Sequence, residues 1–245
     1  YDLLTSRLVG AALGAAMGKR SNLNLVTVDF SLNSPGICIW TSDKNEYQFI
    51  SYLKANTGTK AEQKRQEEIS TFSDVTLFHQ PDWKTKFGDY SKNEFAKIKR
   101  YREMASDLIS TIVNIIGTTR DYYIAFEGSS YGSKMGTNNI IDMAAGAAIL
   151  KNQMMELLCV EEILTVAPTT IKKHAGKGNM NKAALWTAFL NNVCESPELA
   201  NSPLFKYCVS EIGEVKKVPK PFDDLVDAWF LNHYLRSQLE GKLPN

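Results

Sequence analysis

Leu25-Val-Thr-Val-Asp-Phe30 is a β-branched, apolar run that meets an acid near its end, and its reading decides the fold. Such a composition predicts a buried strand. Outward from it, the polar turn Ser31-Leu-Asn-Ser-Pro-Gly36 leads to a second run, Ile37-Cys-Ile-Trp40. A third, Tyr47 to Leu53, alternates apolar and polar residues as a half-buried strand does. Three strands joined by short turns predict an antiparallel meander. From about Lys54 to Asn93 the pattern dissolves into a polar segment with Lys60, Lys64, Arg65, Lys84 and Lys86, which reads as an insertion.

Periodicity returns in a helix from about Glu94 to Ile116, with Gly117 as its C-cap. Asp121-Tyr-Tyr-Ile-Ala-Phe-Glu127 is another buried strand that ends in an acid. A Gly/Ser-rich loop, 128–138, precedes a helix over about 139–158, and Ile163 to Ala167 forms a short strand closed by Pro168. Helices follow over 169–174, 182–194 and about 221–239, the last with Pro221 suited to its first turn. Three strands and then alternating helices and strands predict an α/β domain with a mixed sheet covered by helices, spanning about 24–240. The short Ala/Gly-rich stretch before Lys19-Arg20 reads as a leader or peripheral helix over 1–23, with an organelle-targeting remnant as the alternative.

The 245 residues are 44% hydrophobic and 22% charged, enough for one well-packed core. A net charge of +1 excludes neither a nucleic acid nor a small-molecule partner, so any affinity for DNA must be local. Cys38, Cys159, Cys194 and Cys208 lie far apart without a C-x-x-C pair. They read as small buried hydrophobes in a reducing intracellular compartment: the cytoplasm, a host's cytoplasm for a viral chain, or an organelle. No apolar run reaches the ~18–20 residues of a membrane-spanning helix.

Chemistry points to the acids. Asp29 and Glu127 each close an apolar strand, at the edge of a core where an unpaired charge is costly to desolvate. In Phe222-Asp-Asp-Leu-Val-Asp-Ala-Trp-Phe230, Asp224 and Asp227 stand three apart and share one helix face. Asp223 and Asp227 would share a face as well. Each acid alone has a plainer reading as a turn residue, an N-cap or part of a solvated face. Gathered at one sheet edge they would repel one another, and cations remove that penalty. Oxygen ligands of this kind suit Mg²⁺, or Mn²⁺ in its place. Two such ions about 3.5–4 Å apart activate water and stabilise the leaving oxygen of a phosphodiester.

Asp29, Glu127 and the helix-borne Asp224 and Asp227 resemble the acidic tetrad of the RuvC-type Holliday junction resolvases. The stretch from Pro168 through Lys172, Lys173, Lys177 and Gly178 to Lys182 resembles that family's Pro-x-x-Val-Lys…Gly-x-Gly…Lys segment, one residue shorter. The Gly-containing helix Met143 to Leu150 is also similar to the helix that follows the family's Glu. The resemblance implies an RNase H-like fold, a mixed five-stranded sheet with helices on both faces. It implies Mg²⁺-dependent cleavage of branched, four-way DNA by a homodimer, with those four acids as metal ligands. It turns Lys172 and Lys182 toward phosphate. The polar 54–93 segment departs from the compact bacterial pattern.

Lys172, Lys173, Lys177 and Lys182 surround a Gly-rich turn whose backbone amides favour phosphate, although a lysine run is commonly a solvated face. Lys216, Lys217 and Lys220 extend that track. Tyr131, between small residues in the 128–136 loop, has room to stack on an unpaired base; the family's aromatic stands one residue earlier, where this chain has Ser130. His174 lies beside the basic loop, within reach of a phosphate, and His233 reads as structural. Ala144, Ala145, Ala147 and Ala148 offer a small-residue helix face for a second subunit. Two other classes stay open: a terminase-type or RNA–DNA hybrid nuclease, and a non-catalytic nucleic-acid scaffold on the same fold.

Overall fold

The chain was analysed as a computed structural model that describes residues 23–54, 59–80, 87–117, 122–128, 137–160, 162–196 and 199–240. Strands β1 (Asn24–Asp29), β2 (Gly36–Thr41) and β3 (Glu46–Lys54) form the expected antiparallel meander. β5 (Tyr122–Glu127) pairs parallel to β1, and β6 (Ile163–Val166) pairs parallel to β5. One strand was not expected: β4 (Val75–Gln80) adds to the outer edge of β3, giving the order β4-β3-β2-β1-β5-β6. The sheet is mixed and helix-covered as the residues predict, with six strands where the resemblance implies five.

Helices cover both faces. α2 (Tyr90–Ile116) and α3 (Thr137–Leu158) bury Val26, Val28, Ile37 and Ile39 on one face, through Leu108, Ile112, Leu150 and Met154. The other face, with Leu25, Cys38 and Phe49, lies under α4 (Pro168–Ala175), α5 (Lys182–Glu195), α6 (Pro203–Tyr207) and α7 (Phe222–Glu240). α7 is buried nearly all round, with Leu225, Trp229, Phe230 and Leu235 each at most 2% exposed. That is why it lacks an amphipathic pattern.

The 54–93 stretch contains α1 (Lys60–Ile69) as well as β4, so it is not patternless. α1 buries only Gln66 and Ile69, and its start rests on a capping box between Thr59 and Glu62. A helix so exposed carries no apolar period. α2 begins at Tyr90, with Asp89 as N-cap, four residues before the expected start; Gly117 is its C-cap, at φ 68°. Cys38 and Cys208 are buried, but Cys159 and Cys194 are exposed, which corrects the reading of the cysteines as buried. The reading of the first 22 residues lies outside the described ones. Among the described residues no helix is long and apolar enough to cross a membrane.

Candidate active site

The period of two along β1 sends Val26 and Val28 toward α2 and α3, and Leu25, Thr27 and Asp29 toward α7. β5 runs beside it in register, Thr27 against Ala125 and Val28 against Phe126, so Glu127 leaves the sheet on the same face as Asp29. Both acids stand at strand C-termini, where the apolar ladder stops.

α7 brings the other two acids, and three contacts set its place. The Thr27 hydroxyl donates to the Ala228 carbonyl at 2.9 Å. Asn232 donates through Nδ2 to the carbonyls of Leu25 at 3.1 Å and Cys38 at 3.3 Å. Gly36, the register partner of Asp29 on β2, lies flat against the first turn of α7: a Cβ built there would stand 2.3 Å from the Asp224 carbonyl oxygen. Only a glycine admits so close an approach.

Asp29, Glu127, Asp224 and Asp227 therefore line one cavity of about 610 Å³, together with Lys172, Lys182 and Lys220. Of the two adjacent aspartates, Asp224 lines the cavity, and both contact its lysines. Lys182 Nζ lies 2.7 Å from Asp223, 3.6 Å from Asp227 and 3.7 Å from Asp224. Lys220 Nζ is 3.1 Å from Asp223 and also bonds the Asp224 carboxylate. Ser34 in the β1–β2 turn donates to the same Asp224 oxygen at 2.6 Å.

Burial and mutual repulsion push the pKa values of all four acids upward. Glu127 is pushed up to about 7 by burial and by Asp227, against the pull of Lys172 and Lys182. Asp227 rises to about 6, by burial and then by Asp224 and Asp223, with Lys182 opposing. Asp29 lies well above the carboxylate range, through burial and then Glu127, Asp227 and Asp224. Asp224 is raised by burial and by Asp223. Burial lowers the Lys182 ammonium, but the three α7 acids outweigh it and its pKa goes up.

An all-oxygen donor set of this kind suits a divalent cation, and with all four acids ionised it carries more negative charge than Lys172, Lys182 and Lys220 neutralise. Among the described residues no three His, Cys, Asp or Glu side chains are gathered closely enough to hold a metal ion as they stand. The ammonium groups of Lys182 and Lys220 stand on the α7 acids as the resident cations.

No family model and no curated protein sequence matches the chain. Among solved structures, the yeast mitochondrial Holliday junction resolvase Ydc2 is 14% identical, over 98% of this chain and 87% of that chain, with a TM-score of 0.52. This chain has the RNase H-like fold of Ydc2. Thermus thermophilus RuvC is 12% identical, over 89% of this chain and 97% of that chain, with a TM-score of 0.45.

Within this Ydc2-like fold the remaining expected residues are not gathered. Lys173 and Lys177 are exposed and are not among the residues that line the cavity, while Gly178 between them and Lys182 is. Tyr131 lies outside the described residues. His174 does not line the cavity: its Nε2 is 2.8 Å from His233 Nδ1, one ring donating and the other accepting, and its ring packs edge-on to Tyr234. His233 stacks on Trp229, as a structural residue would. Ala144, Ala145 and Ala148 are exposed, but Ala147 turns inward to the cavity. Ser34, Gly36 and the acid contacts of Lys220 were missed. The one signal was the i, i+3 and i, i+4 spacing of Lys220 to Asp223 and Asp224, masked by Pro221 between them.

Proposed function

We propose that the chain is a divalent-metal-dependent DNA endonuclease that nicks four-way junctions. One observation carries the reading: four carboxylates from three elements, remote in sequence, meet in one lysine-lined cavity. The fold shared with the yeast mitochondrial Holliday junction resolvase Ydc2 supports the substrate. Asp29, Glu127, Asp224 and Asp227 would hold Mg²⁺ or Mn²⁺, two ions per site. When bound, the metal supplies an activated water and stabilises the leaving oxygen. Lys172, at the cavity wall, orients the scissile phosphate, with Lys182 beside it. Lys173 and Lys177 add sequence-independent attraction from outside, and Tyr131 is the stacking residue at the junction centre. A homodimer, pairing through the exposed Ala144, Ala145 and Ala148, gives the symmetric nicks that a four-armed substrate requires.

The test is Mg²⁺-dependent nicking of a synthetic four-way junction beside a linear duplex and an RNA–DNA hybrid, with the mass of the complex followed by light scattering. Paired nicks in the junction alone, from a dimer, are expected. Preference for the hybrid, or cleavage of linear duplex by a monomer, would assign the site to another nuclease of this fold. Absence of cleavage with every substrate would leave a binding scaffold.

Lys172→Ala and Lys182→Ala are expected to flatten the salt dependence of junction binding by roughly one unit of slope per lost phosphate contact. Binding titrations at several salt concentrations check this, and slopes equal to the wild type would make both lysines bystanders to DNA.

A further inference from the structure

Lys220 is bonded in a way that the tetrad does not require. Its ammonium lies between Asp223, at 3.1 Å, and Asp224, whose Oδ2 already accepts from Ser34 at 2.6 Å. The two carboxylates are almost fully enclosed, with side chains 9% and 5% exposed, while the lysine side chain is 47% exposed and has room to shift. Asp223 is not a tetrad acid, yet it receives both lysines on one oxygen, Lys182 at 2.7 Å and Lys220 at 3.1 Å. Its other oxygen, Oδ1, is buried with no hydrogen-bond partner. It therefore has acceptor capacity to spare. Counting charges, the acids Asp29, Glu127, Asp223, Asp224 and Asp227 face Lys172, Lys182 and Lys220. Five against three leaves two negative charges when all are ionised, the charge of one divalent cation.

We propose that Asp223 and Lys220 form a built-in counter-cation device, in which Lys220 neutralises Asp224 while no metal is present, competes with the metal for that carboxylate, and retreats to Asp223 when the metal binds. The proposal rests on the metal reading of this cavity and adds the residue that opposes loading. Asp224 Oδ2 already accepts from both Ser34 and Lys220, so a cation that coordinates this oxygen must displace one of the two donors, and the half-exposed lysine is the one with room to move. Asp223 makes the exchange local, because the lysine keeps a partner throughout and no buried charge is stranded.

Opposite signs at two neighbouring residues test it. Binding of Mn²⁺ to the full chain without DNA is followed by the electron paramagnetic resonance signal of the free ion. Lys220→Gln should tighten Mn²⁺ binding by about three- to tenfold, since a positive charge a few ångströms from the ion is removed. Asp223→Asn should weaken it several-fold, because both lysines then fall on Asp224 and Asp227. Lys216→Gln, an equal charge change at an exposed position on the same loop, controls for net charge, and Lys220→Arg controls for the side chain while keeping its charge. Melting temperatures in EDTA should fall for Lys220→Gln and recover with Mn²⁺ by more than the wild type gains.

If Lys220→Gln binds Mn²⁺ no more tightly than Lys216→Gln, or if Lys220→Arg tightens it equally, the device is wrong although the metal site stands. If Lys220→Gln does not fold, Asp223→Asn decides: binding as tight as the wild type overturns the proposal. Absence of Mn²⁺ binding by wild type and all variants would overturn both this device and the metal reading.

Discussion

Asp29→Asn and Glu127→Gln are each expected to reduce junction cleavage by about a thousandfold or more, a barrier increase of about 4 kcal/mol, while the protein becomes more stable. The two effects share one cause. Both acids are held in a buried cluster with Asp224 and Asp227, and both are pushed upward by burial first and then by the neighbouring carboxylates. A neutral amide keeps the shape, removes a ligand from the proposed metal site and relieves the repulsion. Junction binding should change little, because these acids do not grip phosphate.

The pH dependence carries the sign. Glu127 has an ordinary value of 4.5 and about 7 in the fold; Asp227 goes from 3.8 to about 6. The folded state therefore holds these protons more tightly than the unfolded chain does. The stability so gained is fully present below the unfolded values and is lost as the pH rises through about 6 and 7. Without divalent metal, wild-type stability should fall between pH 4 and pH 8 through these groups, and Glu127→Gln should fall less, with a gain of about 1–3 kcal/mol at pH 8. Thermal melts in EDTA across that range, with single-turnover cleavage in Mg²⁺, measure both effects. Normal cleavage by either variant sinks the assignment. A Glu127→Gln protein less stable than wild type at pH 8 would mean that the cluster is not under charge strain.

The second large effect needs one methyl group. Gly36→Ala places a Cβ 2.3 Å from the Asp224 carbonyl oxygen, 2.6 Å from its carbonyl carbon and 3.1 Å from the Leu225 nitrogen. All three are backbone atoms, so no side chain can swing away, and either β2 or the first turn of α7 must move by about an ångström. Overpacking of that kind costs about 1–3 kcal/mol. The functional loss should be larger, because the moving turn carries Asp224, and a misplacement of about 1 Å in a catalytic array costs on the order of a hundredfold in rate. At Gly146 a Cβ would meet the Phe30 ring at 2.8 Å, a side chain at the cavity wall that can turn, not backbone that carries an acid, so Gly146→Ala is the comparison. Gly36→Ala should lose far more cleavage than Gly146→Ala. Equal losses would show that the glycine does not set the position of Asp224.

Elements whose own residues carry a strong pattern are legible in the sequence itself. Leu25 to Asp29 and Tyr122 to Glu127 are continuous apolar runs that end in acids, and the paired aspartates of α7 share a face by helical spacing alone. The mixed sheet and the four acids followed from these. β4 and α1 did not, because an edge strand and an exposed capped helix bury too little to need a pattern. What only the tertiary structure decided is how the acids meet. Parallel pairing of β1 and β5 puts Asp29 and Glu127 on one face, Gly36 lets α7 close over them, and Asn232 holds it there from the carbonyls of Leu25 and Cys38. Those contacts join residues up to 207 positions apart, and no local propensity encodes them. The partners of Lys182 and Lys220 were settled in the same way: charge and spacing made them available, but the closing of α7 against the sheet turned them onto the acids.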